Sequence, residues 1–165
     1  MDSAAFLTAL EDGLRPQVEA AGGRLEVATD PDHVLEILAG EAPKSWRVIL
    51  NWAGDEAVDE TTSPGIVYWS LAATIQAARG LAVNPGADAH RVKANGRDPL
   101  MTLKSKVSRW IRGFSGDHQD LHCDGFRYVS GAWLVVENLP TRQITLTHRC
   151  ILALDEPINT PCTFS

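Results

Sequence analysis

The segment from Asp98 to Phe114 constrains the fold more than any other. Leu100, Leu103, Val107, Trp110, Ile111 and Phe114 recur at helical spacing and make one continuous apolar face. Asp98 offers an N-cap and Pro99 stands where its missing N–H costs nothing, so a helix is predicted over 98–113. Strand-period segments lie on both sides of it. A helix with one apolar face, flanked by such strands, needs a sheet to cover, which points to an α+β layer.

The strands are read from alternation. Trp46, Val48, Leu50 and Trp52 share one face against Arg47, Ile49 and Asn51. From Gly65 to Arg79 both periods fit, and the β-branched and aromatic content favours a strand with Val67, Trp69, Leu71, Ala73, Ile75 and Ala77 together. Tyr128–Glu137 and Arg142–Leu154 alternate again, and the four residues Asn138–Thr141 are short enough for a hairpin. Near the start, Phe6, Leu7, Leu10 and Leu14 predict a helix that Pro16 kinks or ends. Leu25 and Val27 suggest a short strand. Thr29-Asp30-Pro31 starts a second helix, with Val34, Leu35 and Leu38 as its stripe and Gly40 as its stop. Residues 54–64 read as a polar acidic loop, 80–97 as a long loop around Asn84-Pro85-Gly86, and the tail past Asp155 as irregular. The expected order is α, β, α, β, β, long loop, α, β, β. The expected fold is a single α+β domain over 1–165, with a largely antiparallel sheet, helices packed on one face, and a long loop or hairpin extension.

Charge is polarised along the chain. Residues 79–112 hold eight Lys/Arg against two acids, whereas residues 1–60 hold thirteen acids against four bases, within a net charge of −6. Such a chain suits head-to-tail contact between identical copies, which closes into a ring when the rotation allows. Solvated faces that merely differ in sign are the plainer alternative. The acidic residues Asp55, Glu56, Asp59 and Glu60 are candidate subunit-interface groups. Arg91, Lys93, Arg97, Lys104 and Arg109 are the basic candidates for that interface or for a lumen.

Signatures of catalysis are sparse. The chain lacks a GxGxxG after a strand, a P-loop, an HExxH and a GxSxG. His118, His122 and Cys123, with neighbouring carboxylates, are of types zinc accepts, but a second ligand group at matching spacing is missing, and a polar turn accounts for them as well. His148, on the apolar face of the last strand, reads as a hydrogen-bonded core or interface histidine. The five tryptophans fit core positions, with Trp52 and Trp69 open to a subunit contact instead. Three cysteines without CxxC spacing suggest reduced thiols. The acidic start Met1-Asp2-Ser3 is unlike a secretory or mitochondrial signal, and no apolar run reaches the ~20 residues of a membrane span. Overall acidity argues against a general nucleic-acid binder.

The strand Trp46-Arg47-Val48-Ile49-Leu50-Asn51-Trp52, the strand Gly65-Ile66-Val67-Tyr68-Trp69, the long loop, the amphipathic helix and the final hairpin together resemble the tail terminator (tail completion) proteins of long-tailed bacteriophages, over about residues 2–154. A helix at 31–39 departs from that pattern. The resemblance implies a non-enzymatic virion protein without cofactor, made in the host cytoplasm and placed at the head-proximal end of the tail. It implies a homohexameric ring that sits on the last ring of tail tube protein, stops tube growth and presents a docking surface to the head–tail connector or neck protein. DNA would pass its lumen without sequence-specific contact, and no membrane is involved. A head–tail connector, neck or minor tail protein of the same particle is the near alternative. A small metal- or ligand-binding domain using the His118–Cys123 loop is the alternative of a different class.

Overall fold

A computed structural model describes residues 3–41, 43–57, 66–77, 98–114, 117–118, 121–123, 125–133 and 142–154. Helices α1 (Ser3–Ala20), α2 (Pro31–Ala39) and α3 (Leu100–Gly113) accompany strands β1 (Gly23–Ala28), β2 (Trp46–Ala57), β3 (Ile66–Ala77), β4 (Asp117–His118), β5 (Leu121–Cys123), β6 (Arg127–Trp133) and β7 (Arg142–Leu154). The expected element order is present, with β4 and β5 added. The strands form one sheet in the order β1-β2-β3-β7-β5-β4, with β6 also paired to β7. Among the described strand pairs only β1–β2 is parallel. The fold is α+β with a mixed, mostly antiparallel sheet.

Alternation decides what each face carries. Trp46, Val48 and Leu50 of β2, Trp69, Leu71, Ala73 and Ile75 of β3, and Ile144, Leu146 and Cys150 of β7 point to one side. There they meet Phe6, Leu10, Leu14 and Val18 of α1 and Leu100, Leu103, Val107 and Ile111 of α3. At the centre Phe6 stands edge-on to Trp69, ring centroids 5.0 Å apart, and Trp52 edge-on to Trp69 at 4.7 Å.

The helices do not all share a face. Val34 and Leu38 of α2 pack with Ala28 and Ile49, whose side chains alternate away from the main core. The cause is the parallel β1–β2 pair, which needs a crossover connection. That crossover is α2, and α1 already occupies the other side.

Three further expectations are corrected. Of the two outcomes expected at Pro16, ending the helix is excluded: α1 runs through the proline to Ala20, because Pro16 is exposed and Val18 beyond it is buried in the core. Helix α3 starts at Leu100, with its N-cap one residue later than expected. Pro99 is the N-cap residue, its carbonyl accepting from the backbone of Thr102 and Leu103 at 2.9 and 3.0 Å. The Asp98 carboxylate instead receives Lys106 Nζ at 2.5 Å. Strand β2 continues past Trp52 through a bulge to Ala57, so the acidic loop begins later than residue 54. The loop at 80–97, the hairpin residues Asn138–Thr141 and the tail past Asp155 lie outside the described residues. Among the described residues no helix is long and apolar enough to cross a membrane.

Candidate functional site

At the β6 end, the strand is hydrogen-bonded to β7 on one side, and residues Arg127 to Ala132 are all exposed. A bulge at Val129 separates the pairs Tyr128↔His148 and Ser130↔Thr147. The Tyr128 ring lies along the strand over Gly131, where a Cβ would stand 2.5 Å from the tyrosine Oη. Lys104 Nζ of α3 sits 5.5 Å from the centre of that ring, a cation–π contact. Arg109 and Arg112 are exposed on the same helix. Together α3 and β6 carry five bases (Lys104, Lys106, Arg109, Arg112 and Arg127) and no acid.

The far end of the sheet is its opposite in sign. Asp30 caps α2, accepting from the His33 backbone N–H at 2.8 Å. That bond, with Thr29 Oγ1 beside it, holds the Asp30 carboxyl below its usual range. Asp32 and Glu36 on α2 and Glu41 just beyond it are exposed, and α2 carries no Lys or Arg. Exposed large apolar side chains divide between the two ends. Leu35, 48% exposed, stands among these acids, while Met101 (42%), Tyr128 (41%) and Val129 (51%) stand among the bases. The apolar stripe expected of Val34, Leu35 and Leu38 is thus Val34 and Leu38 with a partly buried Ile37.

Behind α2, an open cleft of about 550 Å³ is lined by Gly22, Gly23, Arg24, Lys44, Arg47 and neighbouring residues. Arg47 is only 5% exposed. Its guanidinium donates to Gln76 Oε1, to the Ile37 carbonyl, and to Glu26 at 3.5 Å, while Glu26 also receives Arg24 at 3.2 Å. Burial pulls the Arg47 pKa down, and Glu26 opposes that pull. With each guanidinium nitrogen already committed to a protein acceptor, this cation acts as a clamp joining α2 to β1, β2 and β3.

The residues singled out from the sequence are scattered. Asp55 and Glu56 lie in strand β2, paired with Trp69 and Tyr68, and not in a loop. Glu56 is 3.9 Å from Arg149 of its own chain, whose guanidinium also stands 5.4 Å from the Tyr68 ring. Lys104 and Arg109 both lie on α3. Asp59, Glu60, Arg91, Lys93 and Arg97 lie outside the described residues. The backbone of 117–118 and 121–123 forms a small hairpin on the sheet, and the side chains of His118, His122 and Cys123 lie outside the described residues. Among the described residues no three His, Cys, Asp or Glu are grouped to hold a metal.

His148 is fully buried, as expected of a core position, but the expected hydrogen bond is missing. Both ring nitrogens lack a partner among the described residues. Tyr128 meets its ring edge-on at 5.6 Å. Burial, with a smaller contribution from the Arg112 charge, lowers its pKa to about 4. Of the tryptophans, Trp46 and Trp69 are buried, Trp52 and Trp110 half-buried, and the side chain of Trp133 lies outside the described residues. Sequence reading missed the α2 acids and Leu35 as a surface. The available signal was the spacing of Val34, Ile37 and Leu38, which turns Leu35 outward. No family model matches the chain, and no curated protein matches it.

Proposed function

We propose that this chain is a structural subunit of a phage tail particle, forming a ring that caps the tail tube, ends tube growth and offers the head connector its docking surface. The observation that carries the reading is strand β6. It ends the sheet with both faces exposed, bears Tyr128 and Val129 outward, and is bonded to β7 alone among the described strands. Edges of this kind are usually blunted or covered, and an uncovered one with apolar side chains suits a subunit that is completed by assembly. The resemblance of the β2, β3, α3 and final-strand sequences to tail terminator proteins, from which the helix at 31–39 departs, supports the specific role within that class. A ring subunit also needs two different surfaces for head-to-tail contact, and the two ends of this sheet differ in sign.

The test is a tube-growth assay. Tail tube protein from the same particle is polymerised with and without the purified chain. Tubes of limited length, each carrying the chain at one end, are the expected result. Unchanged length distributions with the chain absent from tube ends would overturn the reading.

A further inference from the structure

We infer that successive copies in the assembly meet through the acidic α2 end of one subunit and the basic α3–β6 end of the next. This rests on the ring reading above and assigns the surfaces that would make the ring. In the sheet order β1 is one end strand, whereas β6 lies off the main path, paired to β7 and separated from β1 by β2, β3 and β7. Helix α2 packs over β1 and β2 on one face, and α3 packs over β3 and β7 on the other. The two surfaces therefore lie diagonally across the subunit, and one copy cannot bring them together. Asp32 and Glu36 share α2 with the exposed Leu35, and Glu41 follows just beyond it, while Lys104, Arg109, Arg112 and Arg127 share α3 and β6 with the exposed Met101, Tyr128 and Val129.

Two independent features coincide at these places. Helix α2 carries acids and no Lys or Arg, α3 and β6 carry bases and no acid, and together these elements hold all the large apolar side chains that are exposed among the described residues. An apolar centre ringed by charge is the usual anatomy of a protein interface, and complementary sign fixes which surface meets which. A surface of either kind cannot pair with its own copy without opposing like charges, so a two-fold dimer is disfavoured and head-to-tail contact is favoured. The Asp55–Glu60 segment is not needed as the acidic partner, since Glu56 already has Arg149 of its own chain nearby.

Zero-length carbodiimide coupling tests this directly. Equal amounts of ordinary and ¹⁵N-labelled full-length protein are mixed at the highest soluble concentration, coupled and digested. Mixed-isotope links joining Lys104 or Lys106 to Asp32, Glu36 or Glu41 are expected. The variants Glu36→Arg and Arg109→Glu should each reduce those links at least several-fold, and the double variant should restore them. Mixed-isotope links confined to other surfaces, or links unchanged by the single reversals, would overturn the assignment while leaving self-assembly intact. Links solely within single copies would overturn both the assignment and the ring.

Discussion

The indole of Trp46 lies across the backbone of Gly23, its partner in the parallel β1–β2 register, so closely that a Cβ on Gly23 would stand 2.5 Å from the ring Cε2. The same ring donates from Nε1 to the Ala21 carbonyl at 3.2 Å. One side chain thus covers the glycine and ties the end of α1 to the start of β2. Glycine is required here by the close approach of the ring.

Gly23→Ala should therefore destabilise the fold by about 1–3 kcal/mol, the usual cost of overpacking a filled site. Urea unfolding monitored by tryptophan fluorescence measures it. A midpoint unchanged from the parent would show that the ring can move aside.

Arg47→Ala should cost more, about 3–5 kcal/mol, because it leaves Glu26, Gln76 and the Ile37 carbonyl without their buried cation. Loss should appear first as hydrogen exchange in α2, which the guanidinium holds by its carbonyl. Arg47→Met, which fills the space without the charge, should still release α2.

His148 predicts an acid response. Its folded pKa is about 4 against 6.5 for the unfolded chain. A base with a depressed folded pKa is protonated first in the unfolded state, so stability is full above about pH 6.5 and falls as pH drops towards 4. At about 1.4 kcal/mol per pH unit the loss is on the order of 3 kcal/mol. His148→Leu should flatten the stability profile over that window. Asp30, whose pKa is lowered, acts below it, losing its capping contribution as the carboxylate protonates.

Ile111→Ala should destabilise by about 2–5 kcal/mol, as a fully buried aliphatic in α3. Trp110→Ala, one residue earlier, should cost less, because Trp110 is half-buried at the rim of the core. Chemical denaturation of the pair ranks them. The reverse order would place Trp110 inside.

Much of this fold was legible because its period was clean. The faces of β2, β3 and β7 and the buried stripe of α3 follow directly from alternation and helical spacing. What the period does not encode is which face a helix will take. Helix α2 lies opposite α1 because β1 and β2 run parallel, and strand direction leaves no mark on the alternation of Leu25, Val27, Val48 and Leu50. That Pro16 would not end α1 was hidden for a related reason: its local cost is offset by Val18, whose burial is a tertiary fact. The charge split was visible, yet its geometry was not. Only the strand pairing shows that the α2 acids lie over β1 and β2 and the α3 bases over β3 and β7, on the other face.

The most direct test of the central claim is electron microscopy of the chain bound to tail tubes, with rotational symmetry measured in end-on averages. The account predicts one closed ring of six subunits at a single end of each tube, its successive copies in head-to-tail contact. A single copy, a two-fold dimer, or subunits spread along the tube wall would contradict it.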